Sequence, residues 1–201
     1  EQLDEYAARS HRLSAASDFS SELVDVGVGL VDETIRPTTT VESLAGLKPA
    51  FYDEETGKRF RDIQWRVTAG NSSPLTDGAS AVLIMSEDKA AALGLTPRAR
   101  FHSFAVTGSD PIEMLTGVIP VTERILERSG LGIDDLDTFE VNEAFASVVL
   151  AWEKETGANP ELVNPRGGAI SLGHALGSSG TRLLTTMVNT LEKTGGRHDW
   201  R

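Results

Sequence analysis

From about residue 75 onward, short apolar runs alternate with stretches of helical periodicity, and glycines mark the joins. That order predicts an α/β architecture. Residues 79–85 form an apolar run between Asp77-Gly78 and Ser86-Glu87-Asp88, expected to be a buried strand. A helix over 87–93 should follow and end at Gly94. Residues 98–107 alternate well enough for another strand, and 120–129 for a helix closing at Gly130. Residues 138–141 read as a strand. Phe145, Val148, Val149 and Trp152 lie at helical spacing, so a helix should begin near Asn142. Residues 169–172 read as a strand, and Leu183, Leu184, Met187, Val188 and Leu191 as one face of a helix starting near Gly177. Ahead of this region, Leu3, Tyr6, Ala7, Ser10, Leu13 and Ser14 share one helical stripe, and residues 18–68 are loop-rich.

Composition excludes several classes. The 201 residues carry 19 basic and 30 acidic side chains, a net charge of −11. General nucleic-acid binding needs clustered basic residues and is not expected. The most basic stretch, Lys58, Arg59, Arg61 and Arg66, reads as a solvated face. No window approaches the roughly 18 uninterrupted apolar residues of a membrane helix. The first residues lack the basic and apolar regions of a signal peptide, and a cytoplasmic location is expected. Both ends read as cut rather than finished. There is no cysteine, hence no disulfide, thiolate metal site or cysteine nucleophile in these residues.

Three segments can carry chemistry. The first is Thr68-Ala69-Gly70-Asn71-Ser72-Ser73-Pro74-Leu75-Thr76-Asp77-Gly78-Ala79. Its small side chains permit close approach by a ligand, and equally suit a plain turn. The second is Val141-Asn142-Glu143-Ala144-Phe145-Ala146. Asn142 would cap a helix there, or hold a water or a carbonyl at the carboxyl end of a strand. The third is residues 164–180, where five glycines flank His174 at an expected strand-to-helix join. The positive end of the following helix should keep His174 neutral, able to take a proton or to donate to an oxyanion. With no second ligand at suitable spacing, a metal site is not expected.

These segments, in this order, resemble the thiolases. Thr68 to Ala79 is similar to that family's Thr-Ala-Gly-Asn-x-Ser segment, and Val141 to Ala146 to its Asn-Glu-Ala-Phe box. Residues 164–180 are similar to its Gly-Gly-Ala…Gly-His box, with Ala175 where a proline is usual. Residues 32–37 and 44–51 resemble its loop domain.

The resemblance implies the layered α/β/α/β/α thiolase fold. Residues 1–68 would be the tail of a loop domain, 69–96 the last strand and helix of the first half, and 97–201 most of the second half. It implies CoA-dependent cleavage of 3-ketoacyl-CoA, or the reverse condensation. CoA would be a substrate, with no further cofactor, and the protein a homo-oligomer. His174 would activate a nucleophile and line an oxyanion hole, and Asn142 would hold a water in another. Ser73 and Ala69 would contact the pantetheine arm, and Ala144 and Phe145 would line its tunnel. The family's two catalytic cysteines would fall outside these residues, one upstream and one downstream. The segment 17–32 is shorter than is usual for the loop domain. Two alternatives are a ketoacyl synthase, which places a second His at the Asn142 position, and a non-catalytic CoA- or lipid-binding protein.

Overall fold

The structure, a computed structural model, describes residues 1–197 and 199–200. His198 and Arg201, part of the tail that reads as cut, lie outside the described residues. The chain opens with helix α1 (Gln2–Ala15), whose buried face is Tyr6, Ala7, Ser10, His11 and Ser14. That is close to the expected stripe, but four of the five buried residues carry hydrogen-bonding groups. Short helices α2 (Val41–Ala45) and α3 (Glu54–Arg59) follow in the loop-rich region, each started by a side-chain cap, Thr40 and Asp53. Helix α4 (Glu87–Ala92) matches the expected 87–93. Helix α5 (Val118–Ser129) ends at Gly130, and α6 (Ala146–Thr156) at Gly157, both glycines left-handed with φ of 73° and 69°. Strand β1 (Thr138–Phe139), helices α7 (Ala169–Leu172) and α8 (Ser179–Thr194), and strand β2 (Asp199–Trp200) complete the order. The two strands pair in parallel, Thr138 with Asp199.

The core lies between α1, α5, α6 and the β1 segment. Phe139, Val141, Ala146, Val149, Trp152 and Val163 are buried to 1% exposure or less. Phe139 and Trp152 meet edge to face at 5.3 Å between ring centres. The Trp152 indole donates to Thr122 Oγ1 at 2.7 Å, tying α6 to α5. Burying a side chain such as Phe139 contributes about 1.5–3 kcal/mol.

Four expectations fail here, for different reasons. Residues 79–85 and 98–107 form no strand. A strand needs a ladder partner, and none of the described strands runs beside them. Leu83, Ile84, Phe104 and Val106 are instead exposed. Side chains hold these segments in place. Ser80 Oγ donates to Ser178 O at 2.6 Å, and Arg124 and Arg128 of α5 donate to the Val106 and Phe104 carbonyls. Residues 169–172 form helix α7, not a strand, because four apolar residues do not distinguish the two periods. Helix α6 starts at Ala146, four residues later than expected, because the preceding box is held by other bonds. Among the described residues, no helix is long and apolar enough to cross a membrane.

Candidate active site

The three sequence segments converge, and mostly through backbone. Ser73 N–H donates to Ala144 O at 3.0 Å, and Ser72 forms an antiparallel bridge with Phe145. That joins the first segment to the second. His174 N–H donates to Pro74 O at 3.0 Å, and Leu75 bridges His174 in parallel. That joins the first segment to the third. The approach is close because Gly173 carries no side chain. A Cβ there would fall 2.6 Å from Thr76, and its φ of +84° suits glycine. The plain-turn reading of the first segment holds only for Thr68 to Asn71, where Thr68 Oγ1 accepts from Gly70 N–H and Asn71 Oδ1 accepts from Thr68 N–H. Beyond it, the chain works as the shared edge of the other two segments.

His174 is half-buried. Its Nδ1 lies 2.6 Å from the Ser179 hydroxyl, in the first turn of α8. Burial first, and then the Arg182 charge, hold the imidazole below its ordinary value, so it is neutral near pH 7. The expectation of a neutral His stands, but a helix end is not its principal cause. Its setting also differs from expectation, since His174 follows a helix rather than a strand.

Asn142 does not cap α6; the residue flanking that helix is Phe145. The Asn142 Oδ1 atom is buried and meets no protein donor, so it is available to a water or a substrate group. Ser73 is half-buried and its hydroxyl donates to Ala144 O at 3.2 Å, leaving its lone pairs to accept. Ala144 and Phe145 are half-buried beside it, and the Phe145 ring meets Phe51 edge-on at 5.7 Å. The structure therefore gathers Ser73, Ala144, Phe145 and His174 around one shared edge, with Asn142 two residues from Ala144. Ala69 is different. It stands exposed in the turn four residues before Ser73, with no bond to the other segments.

Sequence reading missed the group that organises the second and third segments. Glu143 is fully buried, with 0% exposure. Its carboxylate accepts from Tyr6 Oη at 2.9 Å, Ser10 Oγ at 2.7 Å, Asn164 Nδ2 at 3.0 Å and Ile170 N–H at 3.1 Å. Four donors from α1, the third segment and the start of α7 offset the cost of burying a charge. A carboxylate at the α7 N-terminus also explains why a four-residue helix forms there. Burial, followed by the Glu143 charge, pushes Tyr6 well above its ordinary value and keeps it a phenol donor. Asn164, at φ +44°, copies a neighbouring strand: its Oδ1 accepts from Val141 N–H and its Nδ2 donates to Val141 O, both at 2.8 Å. The signal was available in α1, where Tyr6, Ser10 and Ser14 place hydroxyls along the stripe that is buried.

With this geometry in view, the comparisons decide the family. The pattern of the thiolase C-terminal domain matches residues 95–199, and that of the thiolase N-terminal domain matches residues 1–88. The chain belongs to the thiolase family. It is 47% identical to a 3-ketoacyl-CoA thiolase of Marinobacter nauticus, over 98% of this chain and 52% of that protein. It is 45% identical to a steroid 3-ketoacyl-CoA thiolase of Mycobacterium tuberculosis, over 98% of this chain and 48% of that protein. Among solved structures, it superposes on human mitochondrial 3-ketoacyl-CoA thiolase in complex with CoA with a TM-score of 0.87. That match has 37% identity and covers 98% of this chain and 49% of the other. The fold is therefore the thiolase α/β fold in part, and the chain spans about half the length of the relatives it matches.

Proposed function

We propose that these residues are the oxyanion-binding and CoA-binding part of a thiolase that cleaves 3-ketoacyl-CoA with CoA, or runs the reverse condensation. The observation that supports it best is the shared edge: Pro74 holds His174, and Ser73 holds the Asn142 segment. Two groups able to polarise a thioester or ketone oxygen are thus fixed to one backbone before substrate arrives, which is how oxyanion stabilisation works. His174, neutral and seated on Ser179, takes the proton of a thiol and then donates to the oxyanion. Asn142 holds a water that donates to the second oxyanion, through its buried and unpartnered Oδ1. Ser73 accepts from an amide of the pantetheine arm, while Ala144 and Phe145 line its path. The thiolate nucleophile and the second thiol must come from outside these 201 residues, which contain no cysteine. The exposed apolar segments near Leu83 and Phe104 fit a protein that associates with further thiolase chain or with its own copy.

The whole protein and this chain should behave differently. CoA-dependent loss of acetoacetyl-CoA is expected with the whole protein and absent, above buffer background, with the 201 residues alone. Turnover by the cysteine-free chain would contradict the assignment of the nucleophile. A whole protein that binds CoA without cleaving the substrate would favour the non-catalytic alternative.

A further inference from the structure

The basic stretch from Lys58 to Arg66 lies between two thiolase-like boxes, 44–51 and 68–79, and the site described above leaves it without a role. Its placement is more specific than that of a solvated face. Residues 49–68 form a closed loop on the edge of the site. Pro49 bridges Thr68 in antiparallel fashion, and Ala50 N–H donates to Val67 O at 2.8 Å. Inside the loop, Tyr52 meets Trp65 edge-on at 5.5 Å. Gly57 of α3 packs against the same indole, since a Cβ there would lie 3.8 Å from it. The loop is thus held by its own packing.

Two contacts join it to the site. Phe51 meets Phe145 edge-on at 5.7 Å. Arg66 O accepts from Asn71 Nδ2 at 3.1 Å, in the turn ahead of Ser73. Exposure rises outward along this line. Glu143 is fully buried, Phe145 is half-buried, Phe51 is 59% exposed, and Lys58, Arg59, Arg61 and Arg66 are all exposed. A ligand that reaches the Asn142 box past Phe145 would leave its outer end beside this loop.

The charges at that outer end are unbalanced. Asp53 is taken up in capping α3, its carboxylate accepting from Thr56 N–H at 2.7 Å. Glu54 and Glu55 both pair with Lys58, at 3.1 Å and 2.7 Å. Asp62 is the remaining acid of residues 53–66, against three guanidiniums. Among the described residues, Arg59, Arg61 and Arg66 pair with no carboxylate. Arg59 instead lies over the Phe60 ring, 5.0 Å from its centre. In a chain of net charge −11, this is a local excess of positive charge. A guanidinium matches a phosphate through paired N–H donors. CoA is anionic at one end: its pantetheine is uncharged, whereas its nucleotide carries a diphosphate and a ribose phosphate. We propose that Arg59 and Arg61 bind the phosphates at the nucleotide end of CoA, with Arg66 nearer the pantetheine. This rests on the reading that Ser73, Ala144 and Phe145 face the pantetheine, and adds the group that holds the other end.

The test reads binding and not turnover. The whole protein is titrated with CoA by calorimetry at about 50 mM and about 500 mM salt, because salt screens an exposed phosphate contact. Arg59→Gln combined with Arg61→Gln should weaken CoA binding about threefold to thirtyfold at low salt, as for two exposed charge contacts, and much less at high salt. Lysine at both positions should keep most of the affinity. Pantetheine, which carries no phosphate, should bind wild type and variant alike. Should the double Gln variant fail to fold by circular dichroism, Arg61→Gln alone should show a smaller loss with the same salt dependence. Equal CoA affinity in wild type and a folded Gln variant overturns the proposal. So does a loss that is the same at both salt concentrations or that extends to pantetheine, since the loop would then only shape the path. CoA binding that depends on these arginines without any thiolysis would leave the proposal standing and remove the acyl-transfer reading. Thiolysis with CoA binding untouched by the variants would do the reverse.

Discussion

Two adjacent buried glutamates show how far burial alone determines chemistry. Glu143 and Glu140 are both fully enclosed, but Glu143 accepts four hydrogen bonds and Glu140 none. Burial pushes the Glu140 carboxyl up to about 8, and its arginine neighbours only partly offset this. Its folded value lies above that of the unfolded chain, so between about pH 4.5 and 8 the folded state binds more protons than the unfolded state. Stability therefore falls as pH rises through that window, and levels off above it. Glu140→Gln, which fixes the neutral form, should flatten that decline. Relative to wild type, the variant should therefore gain stability between pH 5 and pH 8.5. Urea unfolding at pH 5, 7 and 8.5 measures this; parallel pH profiles for the two proteins would show that Glu140 is ionised throughout. Sequence alone could not separate the two residues. Only the donors from Tyr6, Ser10 and Asn164, which come from distant parts of the chain, make Glu143 different.

At the scale of elements, legibility followed length. Helices α1, α5 and α8 were readable because their periodic stripes run for 12 residues or more. Helix α7 was not, since its four residues are held by the Glu143 carboxylate at its start and stopped at Gly173, whose φ is +84°. The apolar runs at 79–85 and 98–107 carry a strand pattern that is real as sequence but finds no ladder among the described strands. The glycines of the third segment also have a different purpose from the expected one. They do not simply free His174; several let elements touch. A Cβ at Gly168 would fall 2.4 Å from Glu143 Cδ, whereas one at Gly177 would meet nothing within 4 Å. Gly168→Ala should therefore cost about 1–3 kcal/mol by overpacking the carboxylate. Gly177→Ala should stay within about 0.5 kcal/mol of wild type. Thermal unfolding of the two variants side by side checks this, and equal losses would show that the Glu143 site yields more easily than its packing indicates.

For the whole molecule, the family and its fold were legible in the sequence, and Asn142 and His174 stood out as candidates. Asn142 and His174 could be picked out because glycine-rich or Asn-led boxes interrupt otherwise periodic chain, and the family match places both boxes within a thiolase. What the sequence could not show is that the Thr68 to Ala79 segment is the strut between them, since backbone bonds from Ser73 and Pro74 leave no side-chain pattern. The central claim is that His174 is a chemical group in acyl transfer and not a structural histidine. The most direct measurement is turnover of acetoacetyl-CoA by the whole protein carrying His174→Ala, with its melting temperature taken on the same sample. Removing an oxyanion donor and base should lower turnover by at least about a hundredfold with melting nearly unchanged. Near-normal turnover, or a loss matched by unfolding, would contradict the account and make His174 a packing residue.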